Sequence, residues 1–581
     1  MKVGLFDSTQ SGFQWVADRV WKVEHAFERA NATGEKARST RMRIFIILCC
    51  LGTVYCLLML FAARASLFHG AGQIAALTGQ AHARGQLVDR NGALLATDVD
   101  NFDLFVDPTD MTAEDRVYVR RALAQLFPSL PRETLDKAFR REGRALLTGN
   151  LDAMDRAKLL EYGLPGVSFE AQRVRRYPLG TTGAFYIGMT KRAGEGMSGA
   201  EKSLEEQIVA SANGQAVPLA MDLRVQGALE NELRAMAVAQ KAVGAVGLVI
   251  NVRTGEVLGM ASWPEFDLNR PGDYPEAHKR NHAAVDRYEL GSIFKAISVG
   301  IGLDTGTASM NSVYDARQPL VVGGRKIHDL HATNAYMGLE DVFIKSSNIG
   351  TGLIALNAGK DDFTRYYEAI GLFRSAEIEL TEPASPLYPK TWTDLSLVQT
   401  AFGQGIAITP LSFAEAIMPL LNGGYHRPLT IKKYDGHTPL TGERVFSAAT
   451  SRTMLDLMRA NVTKGSGARA NAPGLRVGGK TGTAQKPGRG GYTSDNIASF
   501  AAVFPTDGAV DDDRYLVLTI YDSPQGAPES SGSRMGGLVA APVAGRVIDR
   551  IAPFVGVARR EDKFATPQWD KAPIQAVEEE H

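Results

Sequence analysis

Ser292-Ile293-Phe294-Lys295, Ser346-Ser347-Asn348 and Lys480-Thr481-Gly482-Thr483 stand in that order along the chain, and their order decides how everything around them is read. Ser-x-x-Lys puts two side chains one helical turn apart on one face, within hydrogen-bonding reach. A serine hydroxyl is a weak nucleophile until a base takes its proton, and a lysine desolvated beside other cations can be that base. Ser292 is therefore the candidate nucleophile and Lys295 the candidate general base. Gly291 suits a tight lead-in to a helix whose N-terminal field favours a developing oxyanion. In the second motif Ser346 can relay a proton and Asn348 can hold an amide. In the third, Lys480 and the Thr481 and Thr483 hydroxyls can meet a terminal carboxylate. Gly482 would let a ligand approach the strand, along which an extended peptide can add. The backbone N–H groups of Ser292 and Thr483 form the natural oxyanion-hole pair. Such a set is nearly complete for acyl transfer through a serine ester.

Each motif alone is a weak signal. Ser-x-x-Lys occurs once in the chain, whereas Ser-x-Asn recurs at Ser211, Ser309 and Ser494. Ser494-Asp495-Asn496 is set aside because it follows the third motif. Ser346 lies 54 positions after Ser292 (346 − 292), in the right order and within apolar helical sequence.

Around the motifs the pattern alternates between strands and helices. Ala245 to Val252 and Val257 to Ser262 are apolar and β-rich, with the turn Arg253-Thr254-Gly255-Glu256 between them, as in a hairpin buried on both faces. Helical spacing covers Val225 to Val238 and dominates from Ser292 to about Leu421. Strand signals return at Lys480 to Ala484, Ala498 to Phe504 and Tyr515 to Tyr521, and a last helix fits Ala540 to Ile551. Strands at both ends of a helical region predict an α+β domain whose termini meet in one sheet. Earlier, Arg84 to Ala96 reads as strand, Asn-Gly turn, strand. Helices are expected at Thr112 to Phe127 and Arg132 to Glu142. The basic cluster Arg173 to Arg176 reads as a solvated face or an interdomain salt-bridge network in preference to a ligand site. This first region carries no catalytic constellation and reads as a β-rich spacer or docking module.

The chain has 581 residues, too many for one core, and 64 basic against 64 acidic residues give no polyanion-binding signature, so nucleic acid is an unlikely partner. Its three cysteines, Cys49, Cys50 and Cys56, all lie in the uncharged run Ile44 to Ala63 and read as small hydrophobes. That run has 20 residues, enough to cross about 30 Å of hydrocarbon as a helix. Lys36, Arg38, Arg41 and Arg43 precede it without an acid, placing the N-terminus in the cytoplasm. An uncleaved signal anchor is favoured over a cleaved signal peptide, which would use Ala63-Arg64-Ala65, because the run is long and 43 residues precede it. The expected organisation is a cytoplasmic tail at 1–43, favoured as flexible over a short interfacial helix at 14–29, then an anchor at 44–63. A non-catalytic pedestal follows at 64–230, the catalytic domain at 231–557 and a flexible acidic tail at 558–581. The bulk of the protein then lies outside the cytoplasmic, or inner, membrane on a single span.

With its context the trio resembles the transpeptidase domain of class B penicillin-binding proteins. The stretches that carry the likeness are Tyr288-Glu289-Leu290-Gly291-Ser292, Gly403-Gln404-Gly405-Ile406-Ala407-Ile408-Thr409-Pro410 and Gly478 to Lys486. Arg84 to Gly92, Arg176 to Gly180 and Gly199-Ala200-Glu201 are similar to that class's dimerisation-type pedestal. A short tail, one anchor and an end about 100 residues after Lys480 resemble the septal, FtsI-type member, with the elongation-specific type as the nearest rival. Asn251 stands where an Asp is common in the class, and Ala501-Ala502 where Val-Gly is usual. The resemblance implies a serine β-lactamase-like fold, a sheet sandwiched by helices. It implies that Ser292 attacks the D-Ala-D-Ala amide of a peptidoglycan stem peptide with Lys295 as base, and that Ser346 and Lys480 relay the proton to the departing D-Ala. A neighbouring stem's amine then resolves the ester into a cross-link, and β-lactams stall at Ser292. It implies as partners a membrane glycosyltransferase of the SEDS family and divisome proteins docked on the pedestal. A β-lactamase or carboxypeptidase is disfavoured because no Glu-x-x-x-Asn lies between Asn348 and Lys480. A β-lactam-binding sensor or scaffold is disfavoured by the short cytoplasmic segment.

Overall fold

The computed structural model describes residues 83–560 apart from 129, 192–193, 213, 331–333 and 489, together with residues 19, 21–22, 25, 28–29, 32, 51–56 and 58–59. Contacts divide the chain into two units, Met1–Gln80 and Ala81–His581. In the first, the described positions between 19 and 32 are helical, and Trp21 stacks on His25 at 4.3 Å. These described positions are helical where the sequence favoured a loose tail, and the two rings meet at the i,i+4 spacing of one helix face. Of the run 44–63 only 51–56 and 58–59 are described, and they are helical; the anchor reading otherwise lies outside the described residues. Among the described residues no helix is long and apolar enough to cross a membrane.

The second unit opens with strand β1 (Leu87–Val88) and the long strand β2 (Leu94–Val106). At the turn between them Asp89 accepts the N–H groups of Asn91 and Ala93, both at 2.8 Å, as the Asn-Gly signal predicts. Helices α1 (Ala113–Leu126) and α2 (Arg132–Phe139), strand β3 (Ala145–Leu151), helix α3 (Ala153–Glu161) and strand β4 (Val167–Arg176) complete a head on the far end of β2. Thr112 and Asp115 form a capping box that starts α1. Both β3 and β4 pair antiparallel with β2. Leu104, Val119, Leu123, Leu135, Leu147 and Leu159 make a small core of the head's own. The head of the pedestal is therefore built on strands but carries three helices among the described residues. At the pedestal's base Arg84 and Arg175 both grip the buried Glu201 at 2.7 Å, and Arg175 also reaches Asp98, so of the two structural readings of the basic cluster the salt-bridge network holds for Arg175, while Arg173 is exposed. Strand β5 (Val217–Pro218) closes this sheet against β1.

Helix α4 (Leu223–Ala239) then leads to strands β6 (Gly244–Asn251) and β7 (Val257–Trp263). α4 runs without a break across the expected boundary at 230/231 and packs on the sheet that follows, so the change of domain comes before Leu223. Helices α5 (Lys295–Asp304), α6 (Asn348–Ala358) and α7 (Ala448–Lys464) precede strands β8 (Gly478–Gly488), β9 (Gly491–Phe504) and β10 (Tyr515–Asp522) and helix α8 (Gly536–Ile551). The sheet order is β8-β9-β10-β6-β7, antiparallel throughout, so the two ends of the domain meet at the β10–β6 pair. Period-two alternation splits the apolar runs between two cores. Val246, Leu248, Ile250, Leu516, Leu518 and Ile520 face the core formed with the central helices. Ala245, Val249, Val517 and Tyr521 face the one shared with α4 and α8. Gly247 leaves room for α4, since a Cβ there would sit 2.7 Å from Leu229. α8 starts four residues before the expected Ala540, at Gly536-Gly537, where glycines hide a helix start. Arg559 pairs with Asp549 and Arg560 with Asp507, so the anchored chain runs past the expected end at Val557.

Leu518 is fully buried at the heart of the sheet, and Leu518→Ala should lower the unfolding free energy by about 2–5 kcal/mol. Leu146→Ala, at a 46% exposed position on β3, should cost less than about 0.5 kcal/mol. Denaturant unfolding of the two variants checks this; equal losses would contradict the assignment of the core.

Candidate active site

Gly291–Phe294 forms one 3-10 turn that runs directly into α5. Residues 295–302 are all buried, so α5 is a core helix that carries Lys295 inward. The lead-in depends on backbone meeting backbone. Gly291 has φ +59°, and a Cβ on it would lie 2.8 Å from the Thr483 carbonyl oxygen. Gly403 has φ +80° and a Cβ there would lie 2.2 Å from the Gly291 oxygen; its own carbonyl accepts the Gly291 N–H at 3.2 Å. Only glycine tolerates both the left-handed backbone and the approach. Gly482 departs from its expected use: a Cβ there would meet Ser499 Oγ at 2.3 Å and the Leu290 oxygen at 2.5 Å. Its missing side chain makes room for the turn before the nucleophile, not for a ligand.

The second motif sits between two helices. Ser346 follows a helix ending at Ile344 and takes φ +59°, a strained conformation for a non-glycine residue. Ser347 caps α6, accepting the Gly350 N–H at 2.9 Å and donating to Asp329 Oδ2 at 2.8 Å. Asp329 Oδ1 also accepts the Ile349 N–H at 3.0 Å. Asn348 donates through Nδ2 to the His328 carbonyl at 2.9 Å, so in this state its amide is held by the protein. Asp329 had no motif signal; only the chain's return brings it to the cap.

The first and third motifs converge on Ser346. Lys295 Nζ donates to the Ser346 carbonyl and, at 3.2 Å, to Ser346 Oγ. Lys480 Nζ donates to the same Oγ at 2.9 Å. The expected Ser292–Lys295 pairing is not among these bonds: Lys295 is turned toward Ser346. Both lysines are fully buried. Burial, then the neighbouring Lys480, pushes Lys295 well below the ordinary amine range, opposed by Asp329. Burial alone brings Lys480 down to about 7. Two cations on one hydroxyl in a water-poor site cannot both stay charged at little cost, so neutral amine is available there near neutral pH.

Strand β8 is the edge of its sheet among the described residues, with β9 on one side and the Ser292 turn on the other. Thr483 turns its carbonyl toward Gly291, and in a strand the N–H of a residue points to the same side as its carbonyl. The N–H groups of Thr483 and Ser292 are thus brought to one locality. Thr481 Oγ1 and the Ser466 hydroxyl lie 2.6 Å apart. Thr483 Oγ1 accepts the Gly536 N–H at 3.1 Å, tying β8 to the start of α8. Ser466 escaped the sequence reading; its one signal is the Gly465-Ser466-Gly467 turn after α7.

Residues 245–549 match the family model described as penicillin binding protein transpeptidase domain, and residues 80–217 match the penicillin-binding protein dimerisation domain. The chain belongs to the penicillin-binding protein transpeptidases. It is 46% identical over 559 residues, 95% of each chain, to the probable peptidoglycan D,D-transpeptidase FtsI of Caulobacter vibrioides. It is 30% identical over 500 residues, 80% of this chain and 82% of the other, to the peptidoglycan D,D-transpeptidase FtsI of Escherichia coli K12. The fold is shared with penicillin-binding protein 3 of Mycobacterium tuberculosis, solved with aztreonam, at TM-score 0.64 and 23% identity over 83% of this chain and 98% of that one. Within this penicillin-binding fold Glu289, three residues before Ser292, accepts the Gly405 N–H at 3.1 Å and the Tyr492 hydroxyl at 2.9 Å. It fastens the β8–β9 hairpin to the Gly403–Gly405 loop.

The lysine pair has a thermodynamic signature. Between about 7 and about 10 the folded state binds fewer protons than the unfolded chain, so stability should rise with pH across that window and be lower below it. Lys480→Met should flatten the slope, read by unfolding midpoints at pH 7 and pH 9.5. An unchanged slope would mean that Lys480 titrates as an ordinary surface lysine.

Proposed function

We infer that this protein is a peptidoglycan D,D-transpeptidase that cross-links stem peptides during septal wall synthesis. The observation that carries the reading is the convergence of Lys295 and Lys480 on Ser346 Oγ beside the Ser292 turn. The names of the FtsI relatives favour the septal over the elongation-specific type.

An extended stem peptide adds along the outer edge of β8 beyond the Ser292 turn by main-chain hydrogen bonds. Lys295, neutral through burial, takes the Ser292 proton as Oγ attacks the carbonyl of the D-Ala-D-Ala bond. The N–H groups of Ser292 and Thr483 stabilise the oxyanion. The proton passes by way of Ser346 and Lys480 to the departing amine, and D-Ala leaves. The amine of a second stem then attacks the ester, forming the new amide and returning the proton to Ser292. Thr481, with Ser466 behind it, and Thr483 receive the terminal carboxylate, each exchanging its present partner. Asn348 releases His328 to hold the substrate amide. β-Lactams follow the first half of this path and remain on Ser292, and no cofactor takes part. The uncharged run 44–63 and the lysines and arginines before it support an inner-membrane anchor with the catalytic domain outside the cytoplasm. A SEDS-family glycosyltransferase and divisome proteins would dock on the pedestal.

Two measurements test the reading. Ser292→Ala, kept in its native membrane setting, should lose all covalent labelling by fluorescent penicillin and fail to support division, giving filaments; swollen round cells would point to the elongation-specific type. The acylation rate should rise with pH as Lys480 loses its proton near 7, because a protonated Lys480 blocks the relay and disfavours proton uptake by the neighbouring Lys295. A flat profile from pH 5.5 to 8.5 would exclude the lysine pair as the proton acceptor.

A further inference from the structure

A cavity of about 520 Å³ opens between α1 and α2 on the pedestal head, in a different domain from the motif trio. Arg116, Arg120, Arg121 and Arg132 surround it, over Leu135 and Phe139. Positions 116 and 120 lie one turn apart on α1, and 117 and 121 lie one turn apart on the adjoining row, so the two rows together line the cavity. Arg120 pairs with Asp136, and Arg116 gives its Nε–H to the Pro108 carbonyl at 3.0 Å. Arg121 and Arg132 make no ion pair among the described residues. The groove thus presents an excess of cations around an apolar floor, and its complement is a short acidic segment with apolar side chains.

This chain carries such a segment itself. Ile574-Gln575-Ala576-Val577-Glu578-Glu579-Glu580 sets two aliphatic side chains beside three carboxylates, in the stretch 561–581 outside the described residues. Six residues before Arg560, the last described residue of the body, the chain passes the pedestal's neck; Arg560 itself is held by the Gly474 carbonyl at 3.0 Å and by Asp507. The Arg224 guanidinium lies over Phe554 at 4.8 Å, and Arg224 pairs with Asp222, which accepts the Asn91 side chain at 3.1 Å at the turn that starts β2. From that turn β2 runs roughly 40 Å to the head, at about 3.3 Å per residue. The 17 residues 561–577 can span at most roughly 55–60 Å. The charge of the segment complements the groove, and its length is of the order of the path along β2.

We propose that the C-terminal segment Ile574–Glu580 docks in the arginine groove of the pedestal head, with Glu578, Glu579 and Glu580 on the arginines and Ile574 and Val577 over Leu135 and Phe139. A tail held there occupies a face that an acidic partner protein would otherwise meet, so the contact is an internal competitor for docking on the head. It goes beyond the transpeptidase reading and does not rest on the chemistry of Ser292.

The test uses the full chain in detergent micelles with p-benzoylphenylalanine in place of Val117, a 62% exposed residue at the groove. Irradiation should join position 117 to a peptide from 572–581 of the same chain. Arg121→Glu with Arg132→Glu should abolish the product, and adding Glu578→Lys, Glu579→Lys and Glu580→Lys should restore it. Penicillin labelling of Ser292 at the unaltered rate shows that each variant is folded. In parallel, a fluorescent Lys571–His581 peptide should bind a chain ended after Arg560, at least about tenfold more weakly at 0.5 M than at 0.05 M salt, as screened charge pairs require. Three results would overturn the proposal: cross-links only to lipid when phosphatidylglycerol vesicles are present, products only between isotopically distinct copies, or a cross-link indifferent to the charge swap.

Discussion

The catalytic domain is organised around the burial of two lysine side chains against one serine hydroxyl. Neither Lys295 nor Lys480 has any solvent exposure, and the counter-charge within influence, Asp329, is spent on the cap of α6. Removing two cations from water costs several kcal/mol each after relaxation, and apolar residues of similar volume are often as stable or more so. Packing therefore gives no reason to keep this arrangement, whereas proton transfer near neutral pH does. What the fold supplies is enforcement. α5 is buried on every side for two turns, and β8 is pinned at Gly479 by Asn461 at 2.7 Å. Neither amine can swing out to water without breaking a core.

Enforcement at the nucleophile comes from backbone contact. Gly291, Gly403 and Gly482 remove the side chains that would separate the Ser292 turn, the 403–405 loop and β8. Main-chain atoms sit closer there than any Cβ allows, which fixes the N–H groups of Ser292 and Thr483 more tightly than rotatable side chains could be fixed. Ser346 adds a local cost: its left-handed backbone is held because the helix before it and the capped helix after it over-determine it.

These features differ in how far the chain betrays them. The α+β architecture, the closure of the sheet by its ends and the three motifs were legible because period-two runs and ordered motifs are local patterns. β9 extends well beyond its predicted part, to Gly491, because Gly491 to Asn496 is polar, as suits the exposed arm of a hairpin. Asp329 and Ser466 were invisible because each acts through a contact made by chain return, with no spacing to mark it. Gly482 was legible as a glycine but misread in purpose: sequence shows that a side chain is absent, and only packing shows what fills the space. The described positions between 19 and 32 escaped the reading for the same kind of reason, since the stacking of Trp21 on His25 is a pairwise fact that composition averages away.

The sheet order also constrains how the pedestal can influence the chemistry. Tyr186, on the pedestal side, donates its buried hydroxyl to the Val257 carbonyl of β7 at 2.8 Å. β7 is one edge of the sheet and β8 is the other. Three strands lie between, each buried on both faces by one of two cores. Close-packed interiors deform little, and coupling between distant sites needs an element with two discrete arrangements. The five-stranded sheet is a poor candidate for such an element. The β8–β9 hairpin is a better one, since its far arm is exposed and is fastened to the 403–405 loop by Glu289 and Tyr492 alone among the contacts described above. Binding at the pedestal therefore acts first on where the active site is held, and a change in the active site itself has to begin at the hairpin.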